Sequence, residues 1–321
     1  MTQKHTPRWS AKLSSFWLAL VPFVLSTAVR AEQPSRVYLN GVAAPVFFND
    51  GDSFRVLEGP LKGTKARLAG FNTLESFGPV HQWGTWTYKE LSVLSKMATY
   101  NARRGVWHCD SDLSRDSYGR ILWHCKDLAA DQVRKGLAHA MSVTSEPAEA
   151  YLLEAQREAI ANRRGMWAHG VPSLLLTSLH SVSEGGGKDG RTYNRVVSTV
   201  DGHSEPWLHK DHYGECQAVC AKVRRISNEE ADRVVAALMT DEEWHRDLEG
   251  LSTDEKRRLF ESFLSHEISY KDTPRSTRMK ETLQRLEKEG ALKPQAPVDD
   301  SCHIYVDFRR RFGGGKAVCL R

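Results

Sequence analysis

Three short polar clusters in this 321-residue chain carry side chains able to act on a phosphodiester. N-D-G-D-S places Asp50 and Asp52 on either side of a glycine turn. R-L-A-G-F-N-T-L-E sets Arg67 at the start of a strand and Glu75 just past its end. R-D-S-Y-G-R puts Arg120 behind a Tyr-Gly turn. Oxygen ligands such as Asp52 suit hard cations such as Ca²⁺ or Mg²⁺. A positioned carboxylate such as Glu75 can take a proton from water, an effect typically worth about 10²–10⁴ in rate. Arginines bind phosphate oxygens through paired donors and stabilise the charge that develops there. Taken singly, each cluster reads as a solvated turn or a surface cation. The chemistry therefore depends on elements that bring the clusters together.

Those elements are legible in outline. Val37 to Lys126 is rich in strand signals. A pair of apolar runs surrounds the hairpin dipeptide Asn40-Gly41. Ser53 to Leu57 and Lys65 to Phe71 form a second pair. G-V-W-H-C and R-I-L-W-H-C form a third, bridged by a long polar turn. Helical periodicity spans about Trp86 to Tyr100, then Ala129 to Lys135 and about Ala148 to Asn162. Strands with an inserted helix and a helical tail suggest a small Greek-key barrel of the OB type. Beyond it, Ser183 to Gly190 has linker composition. A hairpin is expected around Asp201-Gly202. Helices are expected over Glu215 to Val223, Asn228 to Met239, Thr253 to Leu264 and Arg278 to Glu289, with a last hairpin over Gly313 to Gly315.

In this order the clusters resemble the thermonuclease (staphylococcal-nuclease-like) family. N-D-G-D-S, R-L-A-G-F-N-T-L-E, D-S-Y-G-R, K-G-L-A and E-A-Q-R-E-A…G-M-W carry the likeness, over about Val46 to Trp167. The resemblance implies an α+β chain whose first domain is a five-stranded OB barrel with helices. It implies Asp52 as a metal-binding aspartate with Asp50 beside it, and the Thr73 carbonyl as a further metal ligand. It gives Arg67 and Arg120 to the phosphate, Glu75 to the attacking water, and Tyr118 to the bound nucleotide. The implied activity is metal-dependent hydrolysis of DNA or RNA, with Ca²⁺ as cofactor. The alternative is a nuclease-fold module that binds nucleic acid or protein without cleaving.

Two departures bear on that activity. The family's D-x-P-E turn is here N-T-L-E. Asn72 keeps an amide oxygen but removes one negative charge, which predicts weaker Ca²⁺ binding. The tyrosines that many relatives carry after G-L-A are replaced by Ser142 and Thr144, so the grip on a base must be looser or come from elsewhere.

The N-terminus reads as a secretory signal. Lys4, Arg8 and Lys12 precede the apolar run Phe16 to Val29, with a cut expected near Ala31–Glu32. Removing these three and Arg30 takes the formal charge from +5 to +1, so nucleic-acid binding must rest on a local patch. The expected organisation is a signal peptide over 1–31, a barrel domain over 32–172, a linker over 173–190 and a smaller α+β domain over 191–321. No stable membrane span remains after cleavage, and the location is secreted or periplasmic. The protein partner of the second domain is unknown. Export into an oxidising compartment favours three disulfides among Cys109, Cys125, Cys216, Cys220, Cys302 and Cys319. Cys109 and Cys125 end strands that face alike in the aligned register, so they are expected to pair. The other four are expected to tie the helix bearing Cys216 and Cys220 to the C-terminal hairpin, their pairing left open. Zinc on His209, His212, Cys216 and Cys220 is the less favoured reading.

Overall fold

In the computed structural model the described residues are Met1, 35–185, 190–265, 267–268, 273–307 and 317–321. The expected signal peptide, beyond Met1, lies outside them, as do part of the linker at 186–189 and the glycine turn of the last hairpin. Strand β1 (Ser35–Leu39) turns into β2 (Val42–Asp50) at Asn40-Gly41. Both turn residues have positive φ, 46° and 81°, as a tight hairpin of this twist requires. Then follow β3 (Ser53–Val56), β4 (Lys65–Leu68), β5 (Phe71–Thr73), β6 (Val80–Trp83) and the helix α1 (Tyr88–Arg104). Thr87 and Glu90 form a capping box at its start. Next come β7 (Val106–Cys109), β8 (Ile121–Trp123), α2 (Lys126–Arg134), β9 (Ala138–Ala140) and α3 (Ala150–Ala161).

Six strands form one curled sheet in the order β7-β1-β2-β3-β4-β8, and β5 pairs separately with β9. Five strands were expected. The third expected hairpin is also different, because β7 and β8 do not pair along their length. Each runs parallel to another strand, β7 beside β1 and β8 beside β4. The two sheet edges meet at a single bridge between Asp110 and His124, next to the Cys109–Cys125 disulfide. That bond spans 16 residues of chain, a loop worth about 3 kcal/mol in the chain-entropy picture. Phe48, Phe54, Phe71, Ile121, Trp123 and Leu128 fill the space inside the sheet and under the helices.

Past α3 the expected linker begins with a strand, β10 (Leu174–Ser178). Leu174, Leu175 and Leu176 are buried, a continuous apolar run that linker composition further on obscures. Then come β11 (Thr192–Ser198), β12 (Ser204–His209), β13 (Ala218–Arg224), α4 (Asn228–Leu238), α5 (Glu242–Leu248), α6 (Thr253–Phe263), α7 (Pro274–Lys288) and β14 (Pro297–Ile304). The helix expected over Glu215 to Val223 is β13. Val219, Ala221 and Val223 are buried while their neighbours are not, the period of two that belongs to a strand. Cys216 bonds Cys319 and Cys220 bonds Cys302, so neither sulfur is a thiolate. The three disulfides fit an oxidising compartment. Among the described residues no helix is long and apolar enough to cross a membrane.

Residues 34–321 form one compact unit. The reason is a shared sheet: β6 pairs with β14, which pairs with β13. A buried ion pair adds to it. Arg275 at the start of α7 is 3% exposed. It bonds Asp201, Asp247 at 3.0 Å and the Ser145 carbonyl at 2.6 Å. Burial alone would raise the Asp201 pKa, but His203 and Arg275 outweigh it and hold the carboxylate far below its ordinary range.

Asp201→Asn strands Arg275 without its closest charge partner and should cost about 3–5 kcal/mol at neutral pH. Because the folded pKa is depressed, the stabilisation is present above the unfolded value and is lost as pH falls below about 4. Urea midpoints of the wild type and the variant, well apart at pH 7, should therefore converge in acid.

Candidate functional site

Asp50, Gly51 and Asp52 make the turn between β2 and β3. Ser53 pairs with Arg67 across β3 and β4, which brings the turn beside the guanidinium. Arg67 Nη1 donates to Asp52 Oδ1 at 2.6 Å and Nη2 donates to Asn72 Oδ1. The backbone N–H of Thr73 donates to Asp52 Oδ2 at 2.8 Å, and Asn72 Nδ2 donates to the Thr73 carbonyl at 2.8 Å. Four of the sequence-predicted residues thus share one hydrogen-bonded cluster. Asp52, Asn72 and Thr73 are buried, and Arg67 keeps a fifth of its side chain exposed.

Asp50 accepts from the Ser53 hydroxyl at 2.6 Å. Its pKa is raised to about 7, first by burial and then by the charge of Asp52, with Glu75 adding to the rise. Asp50 thus feels the charges of Asp52, Glu75 and the Arg67 guanidinium. Two carboxylates, an amide oxygen and a carbonyl oxygen form a hard donor set. These oxygens are of the type that holds Ca²⁺.

β4 and β8 run parallel with Arg67 opposite Leu122, and Arg120 lies in the turn just before β8. Its Nε donates to Asp116 Oδ2 at 2.7 Å, and Asp116 Oδ1 also accepts from the backbone N–H groups of Tyr118 and Arg120. Burial would raise the Asp116 pKa, but those donors and the Arg120 charge lower it. Tyr118 is exposed, with the Arg120 guanidinium 5.4 Å from its ring centre. A hydrogen bond with Tyr193 raises the Tyr118 pKa, so a side chain of β11 borders this surface. Ser142 and Thr144, at the places of the missing tyrosines, are bound to the β11–β12 hairpin by Ser142 N–H to the Gly202 carbonyl and Ser204 N–H to the Thr144 carbonyl.

Sequence reasoning missed the buried residues behind the cluster. His139 lies opposite Asn72 across β5 and β9, and burial lowers its pKa to about 4. Gln132 Nε2 donates to the Ala98 carbonyl at 2.8 Å and toward the Gly51 carbonyl at 3.4 Å. His81 Nε2 accepts from the backbone N–H of Glu75 at 3.1 Å. The only sequence signal for these is a polar residue inside an apolar run, as in L-A-H-A.

The family model of the staphylococcal nuclease homologues matches residues 65–169. That range holds Arg67, Asn72, Thr73, Glu75, Tyr118 and Arg120, while the turn with Asp50 and Asp52 precedes it. A comparison with curated proteins gave no match.

Gly51 is fixed by space. A Cβ there would stand 2.6 Å from Thr73 Cγ2 and 2.9 Å from Ala98 Cβ. Gly51→Ala must push the Asp50–Asp52 turn away from β5 or α1. It should cost about 1–3 kcal/mol in denaturant unfolding.

Proposed function

Taking the thermonuclease-like family of residues 65–169 as premise, we propose that the chain is an exported, Ca²⁺-assisted nuclease acting on DNA or RNA. The observation that carries this reading is the network joining Asp52, Arg67, Asn72 and Thr73, with Glu75 acting electrostatically on the neighbouring Asp50. Asp52, Asn72 and the Thr73 carbonyl would hold Ca²⁺, and Asp50 would support them. When bound, the ion supplies positive charge against the phosphate oxygens. Glu75 accepts a proton from the water that forms the new P–O bond. The ester P–O bond breaks, and the leaving oxygen takes a proton from solvent. Arg67 spends one N–H on Asp52 and one on Asn72, which leaves three of its five donors for phosphate. Arg120, steered by Asp116, offers a second guanidinium. Both hold the phosphate and offset the charge that grows on it. Tyr118 offers an exposed ring to a base.

Purified protein should degrade DNA or RNA in Ca²⁺ and stop in chelator. Glu75→Gln should lower kcat by about 10²–10⁴ while leaving substrate binding in place. Cleavage untouched by that substitution removes Glu75 from its role. Nucleic-acid binding without cleavage by the wild type favours the non-catalytic module instead.

Asn72→Asp restores the missing charge. Ca²⁺ titrations followed by calorimetry should show about tenfold tighter binding or better, since charge count tunes such sites. A weaker site in Asn72→Asp would mean that Arg67, not the ion, owns that oxygen.

A further inference from the structure

We infer that His303, on β14, is a positioning residue for Glu75, acting through His81. The inference rests on the nuclease reading, because it concerns the group assigned there to the attacking water.

Residues 74–80 connect β5, which carries Asn72 and Thr73, to β6. Glu75 leaves β5 and must be held against solvent-side motion for its carboxylate to meet a water at a fixed place. Its backbone is held on one side by the imidazole of His81, whose Nε2 accepts the Glu75 N–H at 3.1 Å. A neutral imidazole that accepts at Nε2 carries its proton on Nδ1. His81 Nδ1 lies 2.6 Å from His303 Nε2. The proton on His81 Nδ1 is therefore donated to His303, and His303 carries its own proton on Nδ1. The order is fixed throughout: Glu75 N–H to His81, His81 N–H to His303.

Both rings are buried, at 2% and 0% exposure, and they meet edge to face with centres 3.8 Å apart. Burial lowers both pKa values, that of His303 to about 3. The pair stays neutral, and His81 keeps its acceptor, through the range in which the protein works.

What holds His303 is the sheet. His81 and His303 are direct partners in the β6–β14 register. The residue before His303 is Cys302, bonded to Cys220 on β13. The one before that is Ser301, whose hydroxyl accepts the Leu176 N–H of β10 at 2.7 Å. On the other side of Glu75, the Ser76 hydroxyl donates to the Ser95 carbonyl of α1 at 3.1 Å. The connection is thus gripped between α1 of the matched region and a three-stranded sheet of which two strands, β13 and β14, lie beyond that region.

The test uses the full mature chain with its disulfides intact. Two readouts run in parallel: steady-state cleavage of a labelled DNA in Ca²⁺, and deuterium uptake of the peptide containing Glu75. His303→Ala should lower kcat about 10- to 100-fold, as misplacement of a catalytic group does. KM should stay within about twofold, because the phosphate-holding arginines are elsewhere. His303→Gln, whose side-chain oxygen can accept from His81, should recover most of the rate. Uptake at Glu75 should rise in the alanine variant and return toward wild type with glutamine. An unchanged kcat, an equal fall in both variants, or unchanged uptake overturns the positioning role. If the wild type cleaves nothing, the nuclease reading falls by itself, and uptake alone then decides whether His303 holds this segment.

Discussion

The guanidinium of Arg67 sets the dimensions of the site. One end is bound to Asp52, at the turn into β3, and the other to Asn72 on β5. The two elements belong to different sheets, so a side chain from β4 joins what backbone pairing leaves separate. The Thr73 N–H bound to Asp52 Oδ2 closes the same connection through the backbone. Because Asp52 is buried, removal of Arg67 would leave a carboxylate with one neutral donor in place of a cation, the costly arrangement for a buried charge. Asp50 shows how finely the charge is balanced. It is the group that rises toward neutrality, first because it is buried and then because Asp52 and Glu75 act on it.

Asn72 looks different in this setting than in the linear sequence. A second aspartate would compete with Asp52 for Arg67 and add to the repulsion already acting on Asp50. The amide accepts one hydrogen bond from Arg67 and donates another to the Thr73 carbonyl, two tasks of opposite polarity that a carboxylate cannot combine. The loss of charge thus comes with a better-ordered turn.

The residues of the proposed site were readable because they sit in short local patterns: D-G-D, R-x-x-x-x-N-T-x-E and D-S-Y-G-R each fall within a short run of sequence. Most helices were readable from periodicity. What was not readable depends on partners far along the chain. G-V-W-H-C and R-I-L-W-H-C look like a hairpin because they are close in sequence. Each in fact finds a better parallel partner, and between the two there is one backbone bridge, Asp110 to His124, beside the Cys109–Cys125 disulfide. A-V-C-A-K-V-R has an apolar content that suits either state, and pairing with β14 decides for the strand. The histidines behind the site gave no more signal than a polar residue in an apolar run, since His81 has its ring partner 222 residues away.

The pairing of β6 with β14 has a consequence for how the protein is made. Contacts of such long sequence separation close late, because the chain entropy of a large loop must be overcome before they give any return. Most of the curled sheet can assemble from neighbouring strands while the chain is still emerging. The segment after Glu75 cannot be seated until the last tenth of the polypeptide has arrived, so a truncated or stalled product would carry the acid without its anchor.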